Sequence, residues 1–556
     1  MKKNIPFFAL SALVGAMLTG CGGGSSDATA TTSISGKVAD GYLSGASVCL
    51  DKNVNAVCDG DEPSAVTAAD GSYSMELNDG DQNRYPLLVE VPATAIDSDT
   101  GSAVGQAYSM SAPAGQHAFV SPLTSLIHQE MLADASLTLE RAVDKVKADT
   151  GLSIDLLQDY IAEKGNASNT AEDQAAYSAA HKAARVLVRS LQTNMQALGT
   201  VSAGQKSAAQ RGLMMVAKDA LMSQGSNPDP DMLIGGEDRN TLLAVIADAT
   251  SNAEEATQMV SVEFDMHNNG SPVRCGDVIT LANTVYDRDS KTAADPLQAQ
   301  NTAGQLVDTR FYVANLMLTD AEGQVTPVYL EENDNQAKGV SLIDFGYNTA
   351  SSGVSCTSDY HFSITGKVKP GTYSGVMMTI GVPVKSADLS TRLNHSNKAD
   401  AENTPAPLAV TAMGWNWQGG RKFTKIEFMP NEAIAKPTAS NPDATTKKWN
   451  VHIGSTGCIG DPTTGSETSC TNPNRLDLNF DRFDADSQKV VVNVAALFAD
   501  SDMTFDGGMS AGCMSSPLDP ECPAIFKALG IGLSGDNAGY TLQGEDAQSV
   551  FAIEDK

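Results

Sequence analysis

The first twenty residues constrain the rest of the chain, because they have the pattern of a segment that directs a protein out of the cytoplasm. Lys2 and Lys3 precede an apolar run over residues 5–18, which is the arrangement of an export signal that is removed after use. The run is too short to span a bilayer, since a membrane helix needs about 20 residues. We therefore expect residues 1–20 to be a signal peptide and the mature chain to fold in an oxidising compartment.

The end of this run resembles the lipobox of bacterial lipoproteins, whose cysteine becomes the lipidated N-terminus. Its last residues are Leu18, Thr19, Gly20 and Cys21. An ordinary signal peptide with an incidental cysteine is the alternative. The resemblance implies a lipid on Cys21 and a flexible tether over residues 21–32, which are rich in Gly, Ser and Thr. Because Gly22 and not Asp follows the cysteine, it also implies the outer membrane, on the periplasmic or the cell-surface face.

Length and charge limit the architecture and the partners. A chain of 556 residues needs several domains, and a hydrophobic share of 41% is enough to form buried cores. The net charge of −30 repels phosphate backbones. We therefore exclude nucleic acid as a partner.

The pattern of apolar residues divides the mature chain into three regions. Residues 33–113 alternate apolar and polar positions, which predicts a small β-sandwich, and they resemble the prealbumin-like or Cna-B-like modules of bacterial surface proteins. Residues 114–258 carry apolar side chains at three- and four-residue spacing, which predicts a helical connector. Residues 259–556 return to short strands between turns, which predicts an antiparallel β-domain. The expected protein is thus multidomain and mainly β.

Five oxygen donors in the first region have the spacing of a calcium loop. They stand at positions 1, 3, 5, 9 and 12 of a twelve-residue segment, and they are Asp51, Asn53, Asn55, Asp59 and Glu62. Ala56 occupies the position where such loops need a glycine, so a plain polar hairpin is the alternative. Cys49 and Cys58 flank the loop, and we expect a disulfide between them to close it with or without calcium.

Several phrases of the third region occur in the order that one known family shows. They are RFYV (310–313), LIDF (342–345), GVP (381–383), LNH (393–395), PL (407–408), MGWNWQ (413–418), HIGSTGC (452–458) and GCMS (512–515). Together they resemble the MbnP-like copper-binding family, the four-cysteine proteins of the metallo-mystery pair, across residues 260–556. The chain departs from the family pattern at Gly420 and Arg421, where members tend to carry Gly then Tyr, and in a longer insert over residues 384–392.

The resemblance implies copper binding and a specific partner. The partner is a dihaem enzyme similar to cytochrome c peroxidase (MbnH-like), which oxidises a tryptophan to kynurenine. Two of the seven histidines, His395 and His452, lie in the matching phrases, and imidazole is a natural ligand of copper. We expect these two to bind one copper ion, with His361 in reserve; histidines without a metal are the alternative. Trp415 or Trp417 is the expected modified residue, and core packing is the alternative.

The cysteines are expected to form structural disulfides. Nine cysteines less Cys21 leave eight, an even number that fits disulfides in an exported chain. Two pairs would close short loops and a third would complete the set, so we expect Cys458–Cys470, Cys513–Cys522 and Cys275–Cys356. Thiolate ligands to copper are the alternative.

No catalytic constellation stands out in the sequence. It has no His-Glu-x-x-His helix. We therefore expect a copper-capture or copper-handling protein that is not an enzyme. A surface interaction or adhesion lipoprotein without a metal is the main alternative, and an electron-transfer or redox enzyme that uses copper is the second.

Overall fold

The structure, a computed structural model, describes residues 31–201, 205–225, 228–232, 236–251, 253–286, 298–396, 404–415, 419–459 and 469–556. The predicted signal peptide, Cys21 and Trp417 lie outside these ranges. Within them the chain forms N-terminal sheets, a helical middle part and a C-terminal β part, so the predicted fold class is confirmed. No helix in these ranges is both long enough and apolar enough to span a bilayer.

The N-terminal part is a sandwich of two small sheets. Its strands are β1 (Thr31–Val38), β2 (Leu43–Ser44), β3 (Ser47–Leu50), β4 (Ser64–Val66), β5 (Ser72–Asn78), β6 (Leu87–Val91), β7 (Ile96–Asp97), β8 (Ser102–Ala103), β9 (Tyr108–Ala112) and β10 (Phe119–Val120). One sheet has the order β10-β1-β5 and the other β4-β3-β6-β9, and the short strands β2, β7 and β8 form a third, separate sheet. Tyr73, Met75 and Leu77 alternate with exposed residues along β5, and they share one core with Val48 and Val89 of the second sheet.

The middle part is helical and packs onto the C-terminal part. Its helices are α1 (Pro122–Ala133), α2 (Leu139–Thr150), α3 (Tyr160–Glu163), α4 (Ala171–Leu198), α5 (Lys206–Ser223) and α6 (Arg239–Thr250). Capping boxes begin α1 at Ser121 and α4 at Thr170, and α4 ends at Gly199, which has a φ of 71°. The apolar faces of the helices form one core, and this core includes Met317 and Met377 from strands of the third part.

The C-terminal part has two stacked sheets. Its elements are β11 (Gln258–Asn268), β12 (Ser271–Pro272), β13 (Val278–Tyr286), β14 (Gln298–Thr319), β15 (Val325–Pro327), β16 (Tyr329–Leu330), β17 (Gln336–Ala337), β18 (Val340–Tyr347), β19 (Ser363–Val368), β20 (Gly375–Ile380), β21 (Thr424–Pro430), β22 (Ile434–Ala435), β23 (Thr445–Thr446), β24 (Trp449–Ile453), β25 (Thr456–Ile459), β26 (Ser469–Asn472), β27 (Leu476–Phe480), β28 (Gln488–Asn493), α7 (Val494–Leu497), β29 (Gly512–Cys513), α8 (Cys522–Leu529) and β30 (Phe551–Asp555). The larger sheet follows the order β17-β18-β14-β21-β24-β29, and the smaller follows β16-β19-β11-β28-β30. Most pairs are antiparallel as predicted, but β11 pairs with β28, and β24 with β29, in parallel.

The larger sheet has one apolar face and one charged face. Ile426 and Phe428 of β21 point into the core between the two sheets. Because strand residues alternate, Lys425 and Glu427 point to the other face, yet both are less than 10% exposed. This face of β21 is therefore both charged and buried.

All four predicted disulfides are present in the structure. The bonded pairs are Cys49–Cys58, Cys275–Cys356, Cys458–Cys470 and Cys513–Cys522. The third joins the neighbouring strands β25 and β26, and the fourth joins β29 to the start of α8. Both lie in segments that follow His452 in the chain.

Candidate metal centre

His452 is held on the charged face of the larger sheet by a carboxylate. It lies on β24 and pairs with Lys425 of β21. Its Nε2 is 2.8 Å from Glu427 Oε1, and the exposed fractions are 8% for His452 and 4% for Glu427. Histidines that bind metals usually have one ring nitrogen paired with a carboxylate in this way. Because Nε2 contacts Glu427, His452 would bind a metal through Nδ1.

The surrounding charges keep both groups in the form that favours metal binding. Burial alone would raise the pKa of Glu427, but the hydrogen bond with His452 and the ammonium groups of Lys425 and Lys448 hold that pKa well below its usual value. Burial lowers the pKa of His452, and Glu427 only partly offsets this effect. The carboxylate therefore stays charged, and the imidazole stays neutral at neutral pH, as a metal ligand must be.

His395 lies on the loop after β20 and is 2% exposed. The buried guanidinium of Arg421 holds this loop, donating to the backbone oxygens of Asn394 and Ser396 at 3.0 and 3.2 Å and to that of Leu408 at 2.8 Å. The backbone N–H of Arg421 also donates to Asn394 Oδ1 at 3.0 Å. Arg421, a departure from the family pattern, thus fixes the loop that carries one predicted ligand.

Trp415 packs against the ring of His452 and is linked to His395 through the backbone of Gly420. A Cβ added at Gly420 would lie 2.6 Å from His395 Nε2, so the backbone of Gly420 packs directly on that imidazole. Trp415 donates its backbone N–H to Gly420 O at 3.1 Å. On the other side, the ring centroids of Trp415 and His452 are 6.1 Å apart in an edge-to-face arrangement. Trp415 is 4% exposed, so it is enclosed together with the two histidines.

Further hydrogen bonds tie the two histidine segments together. Asn394, next to His395, donates to Ser455 Oγ at 3.4 Å, just beyond the end of β24. Ser515 Oγ donates to His452 O and accepts from Gly454 N, both at 2.8 Å. Ser515 lies in the loop closed by the fourth disulfide, so this disulfide helps to fix the backbone at His452.

The Cys458–Cys470 disulfide lies beside His395. One donor atom from each of these three residues lies within 4.8 Å of the others, and across the described part of the chain no other three His, Cys, Asp or Glu residues come this close. The sulfurs are bonded to each other, so in this state neither is a thiolate.

Trp449 and His361 have other partners. Trp417 falls outside the described residues. Trp449 is fully buried, packs edge-to-face on Phe498 and donates Nε1 to Asp502 O at 3.2 Å. The alternation of β24 places Trp449 and His452 on opposite faces. His361, the reserve ligand, has its Nε2 3.2 Å from Ser341 Oγ.

The predicted calcium donors lie in one segment, and the Cys49–Cys58 disulfide encloses the first three of them. Both asparagines of the loop donate to Asp59 Oδ2 at 2.9 Å, and the carboxylates of Asp51 and Glu62 accept backbone N–H groups of the same loop. Ala56 has a φ of 59°, the conformation that a glycine usually supplies there. Calcium binding stays a prediction.

Glu427 was not identified from the sequence. One sequence feature could have identified it. Lys425 and Glu427 are charged residues at alternate positions of a strand whose other positions are apolar. Such a pair on a central strand indicates a buried polar face. The sequence alone did not reveal that His452 would lie on that face.

Comparisons with known proteins agree on the third part of the chain. Residues 257–515 match the family model described as MbnP. Among solved structures, MbnP from Methylosinus trichosporium is similar, with 35% sequence identity over 54% of this chain and 98% of that chain, and a TM-score of 0.46. A search of curated proteins gave no match.

Proposed function

The chain belongs to the MbnP family through its C-terminal half, and we propose from this membership that it is a lipid-anchored protein that captures or handles copper. His395 and His452 would hold the ion through their imidazole nitrogens, with a weaker third donor. Copper is the cargo of this site, and the protein supplies a buried and pre-oriented pair of ligands. The donor chemistry fits, since both imidazoles are at least 90% buried and copper favours imidazole.

The observation that carries the proposal is the position of the two histidines around Trp415. They come from separate segments, yet His395 contacts the backbone that Trp415 bonds, and His452 contacts its ring. The Glu427 carboxylate is paired with Lys425 and Lys448 as well as with His452, so its charge is compensated where it is buried. A carboxylate on one ring nitrogen is also a common way to orient a histidine that binds a metal.

We extend the proposal to the partner that the family resemblance implies. A dihaem enzyme similar to cytochrome c peroxidase would oxidise Trp415 or Trp417 to kynurenine. The ring of Trp415 packs on His452, so a chemical change of that ring would alter the surroundings of the copper. The intact mass of the chain, purified from cells with and without the partner gene, tests this step, and an unchanged mass in both would contradict it.

The anchor is proposed on the sequence alone. A lipid on Cys21 would hold the chain at the outer membrane and keep the copper site near the cell envelope. Cys21→Ser should release the protein into the soluble fraction of fractionated cells. Retention in the membrane fraction after this change would exclude the lipid anchor.

The test of copper binding is metal analysis of the full-length chain purified from its native host. We expect about one copper per wild-type chain, and loss of most of it in His395→Ala and in His452→Ala. His361→Ala is the matched control, because its ring nitrogen bonds Ser341 and not the proposed site, and it should keep its copper. Copper content unchanged by both ligand substitutions would contradict the proposal and favour a surface interaction lipoprotein without a metal.

A further inference from the structure

We propose that the Cys458–Cys470 disulfide gates a second binding mode, in which the reduced cysteines and His395 together bind one Cu(I) ion. This mode shares His395 with the proposed copper function but does not require His452. The oxidised site would therefore bind copper through imidazole nitrogens. The reduced site would bind it through one imidazole nitrogen and two sulfurs.

The proposal rests first on the distances among the three donors. A ring nitrogen of His395 and the two sulfurs lie within 4.8 Å of one another. His395 is 2% and Cys470 7% exposed, and Cys458 is half-buried. Two sulfurs and one imidazole nitrogen make a soft three-donor set, which selects Cu(I) over hard cations.

The hairpin that carries the cysteines does not depend on the disulfide alone. Thr456 pairs with Asn472, and Ile459 pairs with Ser469, on the two sides of the cysteine pair. In addition, Asn472 Nδ2 donates to Thr456 Oγ1 at 3.0 Å. These contacts would keep both sulfurs beside His395 after the bond between them is cut.

The chemistry balances with a dithiol as the reductant. The dithiol gives two electrons and two protons to the disulfide, so it leaves as a disulfide and Cys458 and Cys470 become thiols. Cu(I) then displaces the two thiol protons and binds two thiolates and the imidazole. The copper keeps its oxidation state throughout.

A cleft gives access to this disulfide. A cavity of about 730 Å³ lies between the helical and C-terminal parts, and its lining includes Cys470 and Thr471 on one side and Gln196 of α4 on the other. By contrast, both Cys513 and Cys522 are 0% exposed. A soluble dithiol should therefore reduce Cys458–Cys470 before it reduces Cys513–Cys522.

The experiment is a Cu(I) titration of the full-length chain without oxygen, before and after limited reduction with dithiothreitol that is then removed. A chromophoric Cu(I) chelator competes for the metal, and near-ultraviolet absorption detects thiolate-to-copper charge transfer. We expect reduction to add this absorption with one Cu(I) per chain. The double variant Cys458→Ser with Cys470→Ser should lose it, whereas Cys513→Ser with Cys522→Ser, the matched control, should keep it.

The histidine variants separate this inference from the proposed function. His452→Ala should weaken copper binding by the oxidised chain but keep the thiolate absorption of the reduced chain. His395→Ala should weaken Cu(I) binding by the reduced chain about tenfold or more. If a double cysteine variant fails to fold, alkylation and mass mapping of the reduced wild type identify which thiols Cu(I) protects. No thiolate absorption after reduction, or protection of cysteines other than Cys458 and Cys470, would overturn the proposal.

Discussion

Replacing Gly420 by alanine should displace His395 and weaken copper binding, because the added methyl group has no room. The new Cβ would lie 2.6 Å from Nε2, 3.0 Å from Cδ2 and 3.1 Å from Cε1 of the imidazole. The imidazole is enclosed, since His395 is 2% exposed. The ring, or the loop that carries it, must therefore move.

The size of the effect follows from these contacts. A normal contact is about 3.5 Å, so the ring must shift by about 0.9 Å from the 2.6 Å position. Metal–ligand distances tolerate only about 0.2 Å. We expect the copper affinity to fall at least about tenfold, which is about 1.4 kcal/mol. The φ of 71° at Gly420 adds a loss of stability of about 1 to 2 kcal/mol.

Chelator competition measures the affinity and urea unfolding measures the stability. Gly323→Ala is the matched control, because Gly323 has a φ of 76° but no atom within 4 Å of its added Cβ. It should lose similar stability and keep its copper affinity. Wild-type affinity in Gly420→Ala, or an equal loss of affinity in both variants, would refute this reasoning.

Three further substitutions test the surroundings of the site and the helical part. Glu427→Gln should weaken copper binding about 10- to 100-fold, because it removes the charge that orients the imidazole. Asp344→Asn on the same sheet is the control and should leave the affinity unchanged. Chelator competition measures both variants. Arg421→Ala should destabilise the fold by about 2 to 4 kcal/mol in urea unfolding, because it leaves three backbone oxygens unpaired, whereas Arg482→Ala at an exposed position should change little. Burial lowers the pKa of His128 to about 4, against about 6.5 in an unfolded chain. Between these pH values the unfolded chain therefore binds more protons than the folded chain. The free energy of unfolding should fall by up to about 3 kcal/mol as the pH drops from 6.5 to 4. Unfolding followed by the helical circular dichroism signal should show this loss in the wild type and a smaller one in His128→Gln.

The strands and helices could be predicted from the sequence, because their apolar residues follow a regular spacing. Alternation along β5 and helical spacing along α4 reflect which side of each element is buried, and this side is visible in the sequence. The four disulfides were also predictable, because the eight cysteines other than Cys21 form an even set, which indicates pairing in a chain that we expect to be exported, and short separations favour neighbours. Two of the bonds close loops of 9 residues and one closes a loop of 12.

The contacts around the candidate site depend on register and loop closure, which the sequence does not display. Glu427 meets His452 only because β21 and β24 pair with Lys425 opposite His452. Trp449 is only three residues from His452 in the chain, but an odd separation on a strand turns it to the opposite face. In the sequence, Arg421 is only a departure from the family pattern. Its hydrogen bonds to the loop of His395 are visible only in the structure.

X-ray absorption at the copper edge of the loaded, oxidised full-length chain tests the central claim most directly, because it counts the imidazoles bound to the metal. For the wild type we expect scattering from two imidazoles and none from sulfur. His395→Ala and His452→Ala should each retain at most one imidazole and bind copper more weakly. Spectra that are identical in all three proteins would contradict the assignment of these two histidines as the copper ligands.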